Sequence, residues 1–166
     1  MGAKKGHINI ILPKEKLGLF EGRVRFIGYN IYTKKIDDTG WIYNTVTSAG
    51  KVAILRRLKN AGTKPNEAII TYGAIGSGTT APAITDTKLV TELYRKLLSS
   101  SSITGTTLEL HLFLTTTQGN GSIEEFGWMG EDASGSADTG TLFNRVLISY
   151  TKTTTKTLTI IQQFGW

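Results

Sequence analysis

The chain is expected to fold as a mainly β domain: an antiparallel β-sandwich, jelly-roll-like, with one main α-helix at about 44–60 and an extended N-terminal arm. Three observations predict it. The 166 residues include 19 glycines but only 3 prolines, and threonine is frequent. Such a composition suits pleated, half-buried strands joined by tight turns. Period-two alternation of apolar and polar side chains recurs along the chain, whereas only one stretch makes a convincing helix by the spacing of its apolar residues. The length is that of one domain, large enough to bury a core without covalent staples. The expected division is a basic arm over 1–22 and a single β-sandwich domain over 23–166.

What is missing narrows the function classes. There is no cysteine, which excludes disulfides, thiolate zinc sites, iron–sulfur clusters and cysteine nucleophiles. The two histidines, His7 and His111, are too few for a histidine-rich metal site. No apolar run reaches the ~18 residues of a membrane-spanning helix. The apolar stretch within Met1–Pro13 is too short for the core of a signal peptide. The net charge of +6 is compatible with nucleic-acid contact, but charge alone is weak evidence for it.

Taken in order, residues 1–22 read as an arm. Lys4, Lys5, Lys14 and Lys16 surround the single apolar run Ile8–Leu12. Terminal segments of this kind order when they dock on something, and in an assembly that something is a neighbouring subunit. Arg23–Ile36 alternates as one strand, and Lys34–Gly40 has turn chemistry. The helix follows, with Asn44, Thr45 or Thr47 as its cap and Val46, Ala49, Val52, Ala53, Ile54, Leu55 and Leu58 as its apolar stripe. Lys51, Arg56, Arg57 and Lys59 complement the C-terminal end of its dipole, and Asn60-Ala61-Gly62 is its stop. Glu67–Ile75 is a strand, 76–82 a loop, and Thr85 or Asp86 caps a short helical turn. The stretch 86–98 fits both helical and strand periods, with a strand read from about Leu93 to Ser102. Thr107–Thr117 is the clearest strand, with Leu108, Leu110, Leu112 and Leu114 on one face and Glu109, His111 and Phe113 on the other. Gln118–Ser122 is a turn, Ile123–Met129 a strand and 130–140 a polar loop. Thr141–Thr151 and Lys156–Phe164 form a final hairpin.

No motif derives a reaction. Gly76-Ser77-Gly78-Thr79-Thr80 lacks the lysine of a phosphate-binding P-loop and the third glycine of a dinucleotide fingerprint, and reads as a structural loop. Glu124 and Glu125 fall on opposite faces of a strand. The buried one then needs a partner such as Arg145 or Arg95, which makes a salt bridge rather than an acid–base pair. His111 lacks a neighbouring nucleophile and orienting acid, and reads as a surface or subunit-contact residue. Asn120-Gly121-Ser122 reads as a hairpin turn rather than a glycan acceptor. No catalytic, cofactor-binding or metal-ligating residue is assigned. The candidate interface residues are Lys4, Lys5, Ile8, Ile10 and Leu12 in the arm and the terminal Trp166. The helix cations, with Tyr29, Tyr32, Trp41 and Tyr43 for stacking, supply a nucleic-acid reading that ranks well below protein–protein contact.

Five segments, in order, carry a resemblance. Gly76-Ser77-Gly78-Thr79-Thr80-Ala81-Pro82 ends a strand. Asp86-Thr87-Lys88-Leu89-Val90-Thr91-Glu92 follows. Glu125-Phe126-Gly127 and Leu142-Phe143-Asn144-Arg145 lie in later strands, and a helix opening at Asn44–Ala53 precedes them all. The ordered set resembles small structural proteins of tailed-bacteriophage virions, over roughly three-quarters of the chain. The resemblance implies a non-enzymatic virion component of the tail, neck, fibre attachment or capsid surface. Its partners would be other copies of itself and neighbouring virion proteins, with no membrane and no cofactor. Two other readings stand beside it. A carbohydrate- or host-surface-binding module needs Trp41 or Trp128 exposed for stacking on sugar. A glycosidase needs Glu124 or Glu125 paired with Asp132 across a cleft.

Overall fold

The computed structural model describes residues 21–59 and 68–165. The described residues form ten strands and one helix. The first part holds β1 (Glu21–Asn30), β2 (Ile36–Asp38), β3 (Ile42–Val46) and α1 (Ser48–Leu58). Next come β4 (Ile70–Gly76), β5 (Glu92–Leu97), β6 (Ser100–Thr104) and β7 (Thr107–Leu114). The last three strands are β8 (Gly121–Gly130), β9 (Thr141–Lys152) and β10 (Lys156–Gly165). The described residues are thus mainly β with one helix, and every strand pairing among them is antiparallel.

The strands form one hydrogen-bonded path, β5-β4-β8-β9-β3-β1-β10-β7-β6, with β2 added to β1. The path curls into two facing halves. At one bend β3 serves both: Ile42–Asn44 pair with Val24–Gly22 of β1, and Thr45 and Val46 pair with Arg145 and Asn144 of β9. At the other bend the chain itself crosses. The Leu98 amide donates to Thr71 O (2.8 Å) in one half, and the Ser99 amide to His111 O (2.9 Å) in the other.

The core lies between the halves. Val24, Phe26, Leu110, Leu112, Leu114, Leu158 and Ile160 face Ile75, Ile123, Phe126, Trp128, Val146, Ile148 and Tyr150. Phe126 meets both Phe26 (centroids 5.7 Å) and Trp128 (5.4 Å) edge-on. Such pairs add about 0.5–1.5 kcal/mol each beyond their burial. The leucine face expected for 107–117 is the inner face of β7, and Glu109, His111 and Phe113 point out.

Several boundaries differ from expectation, each for a local reason. The helix starts at Ser48 rather than 44, because Asn44–Val46 are held in β3 by strands on both sides. Of the three candidate caps, Thr47 does the work: its Oγ1 accepts from the Gly50 amide (3.0 Å). The expected stop at 60–62 lies outside the described residues. The stripe of α1 that packs on the sheet is made of the small residues Gly50 and Ala53. Val52, Leu55 and Leu58 face solvent instead. Arg23–Ile36 is not one strand. Asn30 Oδ1 accepts from the Tyr32 and Thr33 amides (3.0 and 2.9 Å), which turns the chain so that β2 folds back on β1. Residues 84–91 form no helical turn, and 93–102 is broken at 98–99 where the chain changes halves. Glu21 and Gly22, assigned to the arm, already belong to β1 and pair with Gly165 and Phe164.

One close approach makes a prediction. A Cβ on Gly28 would lie 1.8 Å from Tyr150 Oη. That hydroxyl is buried with no hydrogen-bond partner among the described residues, and burial pushes its pKa up. Gly28→Ala is therefore expected to cost about 1–3 kcal/mol by overpacking. Tyr150→Phe alone should be near neutral, since it removes an unsatisfied polar group. The double variant should recover much of the loss. Urea denaturation of all three checks the cycle, and additive losses would contradict it.

Candidate functional site

The candidate interface residues Lys4, Lys5, Ile8, Ile10, Leu12 and Trp166 all lie outside the described residues. The five segments that carry the resemblance lie inside them, and the fold brings the last four to one place.

A bulge in β8 between Ile123 and Glu125 sets this up. It shifts the alternation so that Phe126 and Trp128 face the core while Glu125 and Met129 lie on the outer side. The loop 77–91 covers that outer side. Leu89 of the loop is buried against Ala74, Met129 and Leu142 in a second, smaller apolar cluster. Glu125 lies beneath the same loop and is fully buried. One carboxylate oxygen accepts from the amides of Gly78 (3.0 Å) and Thr91 (2.8 Å). The other accepts from the Val90 amide (3.0 Å) and Arg145 Nε (2.7 Å). Arg145 is 1% exposed and spends its remaining nitrogens on Asp86 Oδ2 (2.9 Å) and Thr80 O (2.8 Å).

The amides that a glycine-rich loop offers to a phosphate are here offered to the protein's own carboxylate. Burial alone would push the Glu125 carboxyl up. The Thr91 and Val90 amides and the Arg145 guanidinium outweigh it and hold the group below the usual carboxylate range. Glu124 sits in the bulge on the same outer side, where it accepts from Ser122 Oγ, so the two glutamates do not fall on the opposite faces expected of them. The buried glutamate with an arginine partner was thus legible in advance. Its place under a loop, rather than between the halves, was not.

Two further ion pairs extend the fastening. Glu92 and Arg95 are both almost fully buried and meet at 2.6 Å, and Arg95 Nη1 reaches Ser134 O (2.9 Å) and Thr139 O (3.1 Å), pinning the loop after β8. Arg56 of α1 bonds the buried Glu131 (2.7 Å), tying the helix to the same loop. Gly50 completes the seat, since a Cβ there would stand 2.8 Å from Phe143 Cα and O.

The outer face of the other half is solvated. Arg23 donates to Gln163 Oε1 (2.7 and 2.9 Å), Gln163 to Glu109 Oε2 (2.8 Å), and Glu109 Oε1 meets His111 Nε2 (2.7 Å). His111 is therefore a half-buried surface residue in a polar row. Trp41 is half-buried with the Arg23 guanidinium over its ring at 4.6 Å, and Trp128 is fully buried. The Trp128 indole is thus closed to stacking on sugar, and Trp41 has a guanidinium over one face of its ring. Among the described residues no group of three His, Asp or Glu side chains is placed to hold a metal ion, and no helix is long and apolar enough to cross a membrane.

Part of the exposed apolar surface lies on α1, and Tyr32, Ile36, Tyr43 and Ile103 are exposed elsewhere. Val52, Leu55 and Leu58 are 45%, 63% and 78% exposed, at i, i+3 and i+6. Ile69 and Ile84 are also exposed. Lys51, Arg57 and Lys59 stand on the same helix and its cap, which carry no acidic residue.

Some buried polar residues escaped the sequence reading. Gln162 and Asn144 are fully buried and bond each other across the interior (2.9 Å). Lys152 is 1% exposed. The signal was present: Gln162 continues the inward series Leu158, Ile160, and Lys152 continues Ile148, Tyr150. Comparison with protein-family models, with curated proteins and with solved structures finds no match.

Proposed function

We propose that the chain is a non-enzymatic structural protein of a tailed-bacteriophage virion, assembling through repeated contacts with copies of itself and with neighbouring virion proteins. One observation carries this reading. Four of the five segments whose order resembles such proteins supply Gly78 and Thr80, Asp86, Glu125 and Arg145, which meet in a single buried network. Segments far apart in sequence that converge on one network are the parts of a scaffold that a family would share, whatever its surfaces do. The charged side chains gathered there are spent on holding loops, the use expected where function is contact rather than chemistry. The exposed apolar stripe of α1, framed by cations, supplies a contact surface suited to an acidic neighbouring subunit.

The arm is proposed to dock on a neighbouring chain, through Ile8, Ile10 and Leu12 with Lys4 and Lys5 beside them. A chain lacking residues 1–20 keeps β1 whole. It is expected to unfold at the same temperature as the full chain while failing to enter assembled particles. Normal incorporation of the truncated chain would end the arm proposal.

A further inference from the structure

The strand path ends in two edges, β5 and β6, and their chemistry differs. β5 carries Glu92, Arg95 and Lys96, and its register against β4 is irregular at Ile75/Gly76. Charges and bulges are the usual protection of a sheet edge against another strand. β6, Ser100-Ser101-Ser102-Ile103-Thr104, has no charge and no proline, and all five residues are exposed. Among the described residues it pairs with β7 alone. The main-chain groups on its far side are therefore open to a further strand.

Ile103 adds an apolar contact to this edge. It stands opposite Leu108, and so shares the face on which Leu110, Leu112 and Leu114 meet the core. Yet it is 77% exposed, so β6 overhangs the core rather than being covered by it. The end of the sheet where β6 finishes is also where the arm enters. Gly22 pairs with Phe164, Phe164 with Leu108, and Leu108 with Ile103. Residues 1–20 thus join β1 three strands away from β6, at the same end. In the arm, His7-Ile8-Asn9-Ile10-Ile11-Leu12 is an apolar, isoleucine-rich run bounded by Gly6 and Pro13, the pattern of a strand about as long as β6. As a strand it sets Ile8, Ile10 and Leu12 on one face.

We propose that β6 receives the arm of a second copy. Residues 8–12 add to its free edge as an antiparallel strand, with Ile8, Ile10 and Leu12 covering Ile103. The inference rests on the reading that the arm docks on a neighbouring chain, and it names the surface that takes the arm. Reach favours a neighbour over the same chain. Adjacent strands lie about 4.8 Å apart, so a strand beyond β6 stands roughly 19 Å from β1. Antiparallel to β6, Leu12 would also lie beside Ser100, roughly 14 Å further along. That diagonal of roughly 24 Å takes up most of the reach of about 30 Å from Leu12 to Glu21 at full stretch. A second copy imposes no such demand. Arm on one side and edge on the other make a head-to-tail contact, which repeats into a ring or a filament.

The test is photo-cross-linking in the full chain, with p-benzoylphenylalanine replacing Ile10 in one variant and Ser102 in another. Each variant is mixed with isotope-labelled unaltered chain, irradiated, and the linked peptides are mapped by mass spectrometry, which separates links between copies from links within one. The probe at position 10 is expected to link to residues 100–104 of another copy, and the probe at position 102 to residues 7–12. Ile103→Lys places a charge on the exposed edge and should lower both yields roughly ten-fold or more. Its Tm should not change, since the side chain is already in solvent. A link from position 102 to the β6 of another copy, links confined to one chain, or yields unmoved by Ile103→Lys would overturn the proposal. A link from position 10 to some other surface of a second copy would overturn β6 as the receiving site and leave the docking of the arm standing. The absence of any link between copies from position 10 would overturn both.

Discussion

Arg145→Met is expected to destabilise the domain by about 3–5 kcal/mol, because it leaves Glu125 as a buried carboxylate without its counter-charge. In a chain of this length that corresponds to a fall in Tm of roughly 6–20 °C. The loss should exceed what the packing of the removed atoms explains. Asp86 and Thr80 O lose their donor too, and the loop 77–91 loses its anchor. Pairing the change with Glu125→Gln removes the stranded charge and should recover part of the stability. The pH dependence gives the same network a second signature. Glu125 has its pKa lowered on folding, so its contribution is present above the unfolded carboxylate value of about 4.3 and is lost as pH falls through the folded value. Stability should therefore fall on acidification below about pH 4. The slope should be shallower in Glu125→Gln. Asp38, held at about 2 by the Arg25 guanidinium and the Gly40 amide, acts in the same direction, but as a solvent-exposed pair it adds little.

The second large effect concerns assembly and leaves stability aside. Leu55→Asp with Leu58→Asp places two carboxylates on a helix face that is already exposed. Surface changes of this kind usually move stability by no more than about 0.5 kcal/mol each. Two acids on this basic helix should be tolerated, since Lys51 and Lys59 stand at i−4 of Leu55 and next to Leu58. If α1 contacts an acidic neighbour, the same changes replace an apolar anchor by repulsion. Like charges brought together at an interface cost several kcal/mol, so incorporation into particles should be lost with an unchanged Tm. The matching charge reversal, Arg57→Glu, should weaken incorporation in a salt-dependent way. A variant that assembles normally would remove α1 from the contact surface.

The comparison of sequence with structure divides along physical lines. Alternation located β7, β9 and β10 closely, because a strand with one buried face must repeat every second residue. The helix was legible in position but not in orientation. Its apolar stripe pointed to Leu58, yet the seat on Phe143 leaves no room for a Cβ at Gly50, and that tight backbone approach leaves no trace in hydrophobic spacing. The break at Asn30 was missed because a side-chain-capped turn needs neither glycine nor proline. The Glu125–Arg145 pair was anticipated from the cost of burying a charge. The amides of Gly78, Val90 and Thr91 that complete it were not, since donors of the main chain carry no residue signature. Lys152 lay in plain alternation with Tyr150 and was passed over because lysine is read as surface by default.

The central claim is that the chain is built into a virion. The most direct measurement is mass spectrometry of particles purified by density gradient from cells that produce this protein, with antibody labelling to place it. The account predicts the chain in the particle fraction, in many copies per particle and at one repeated location. Its presence in the lysate together with its absence from intact particles would contradict the account.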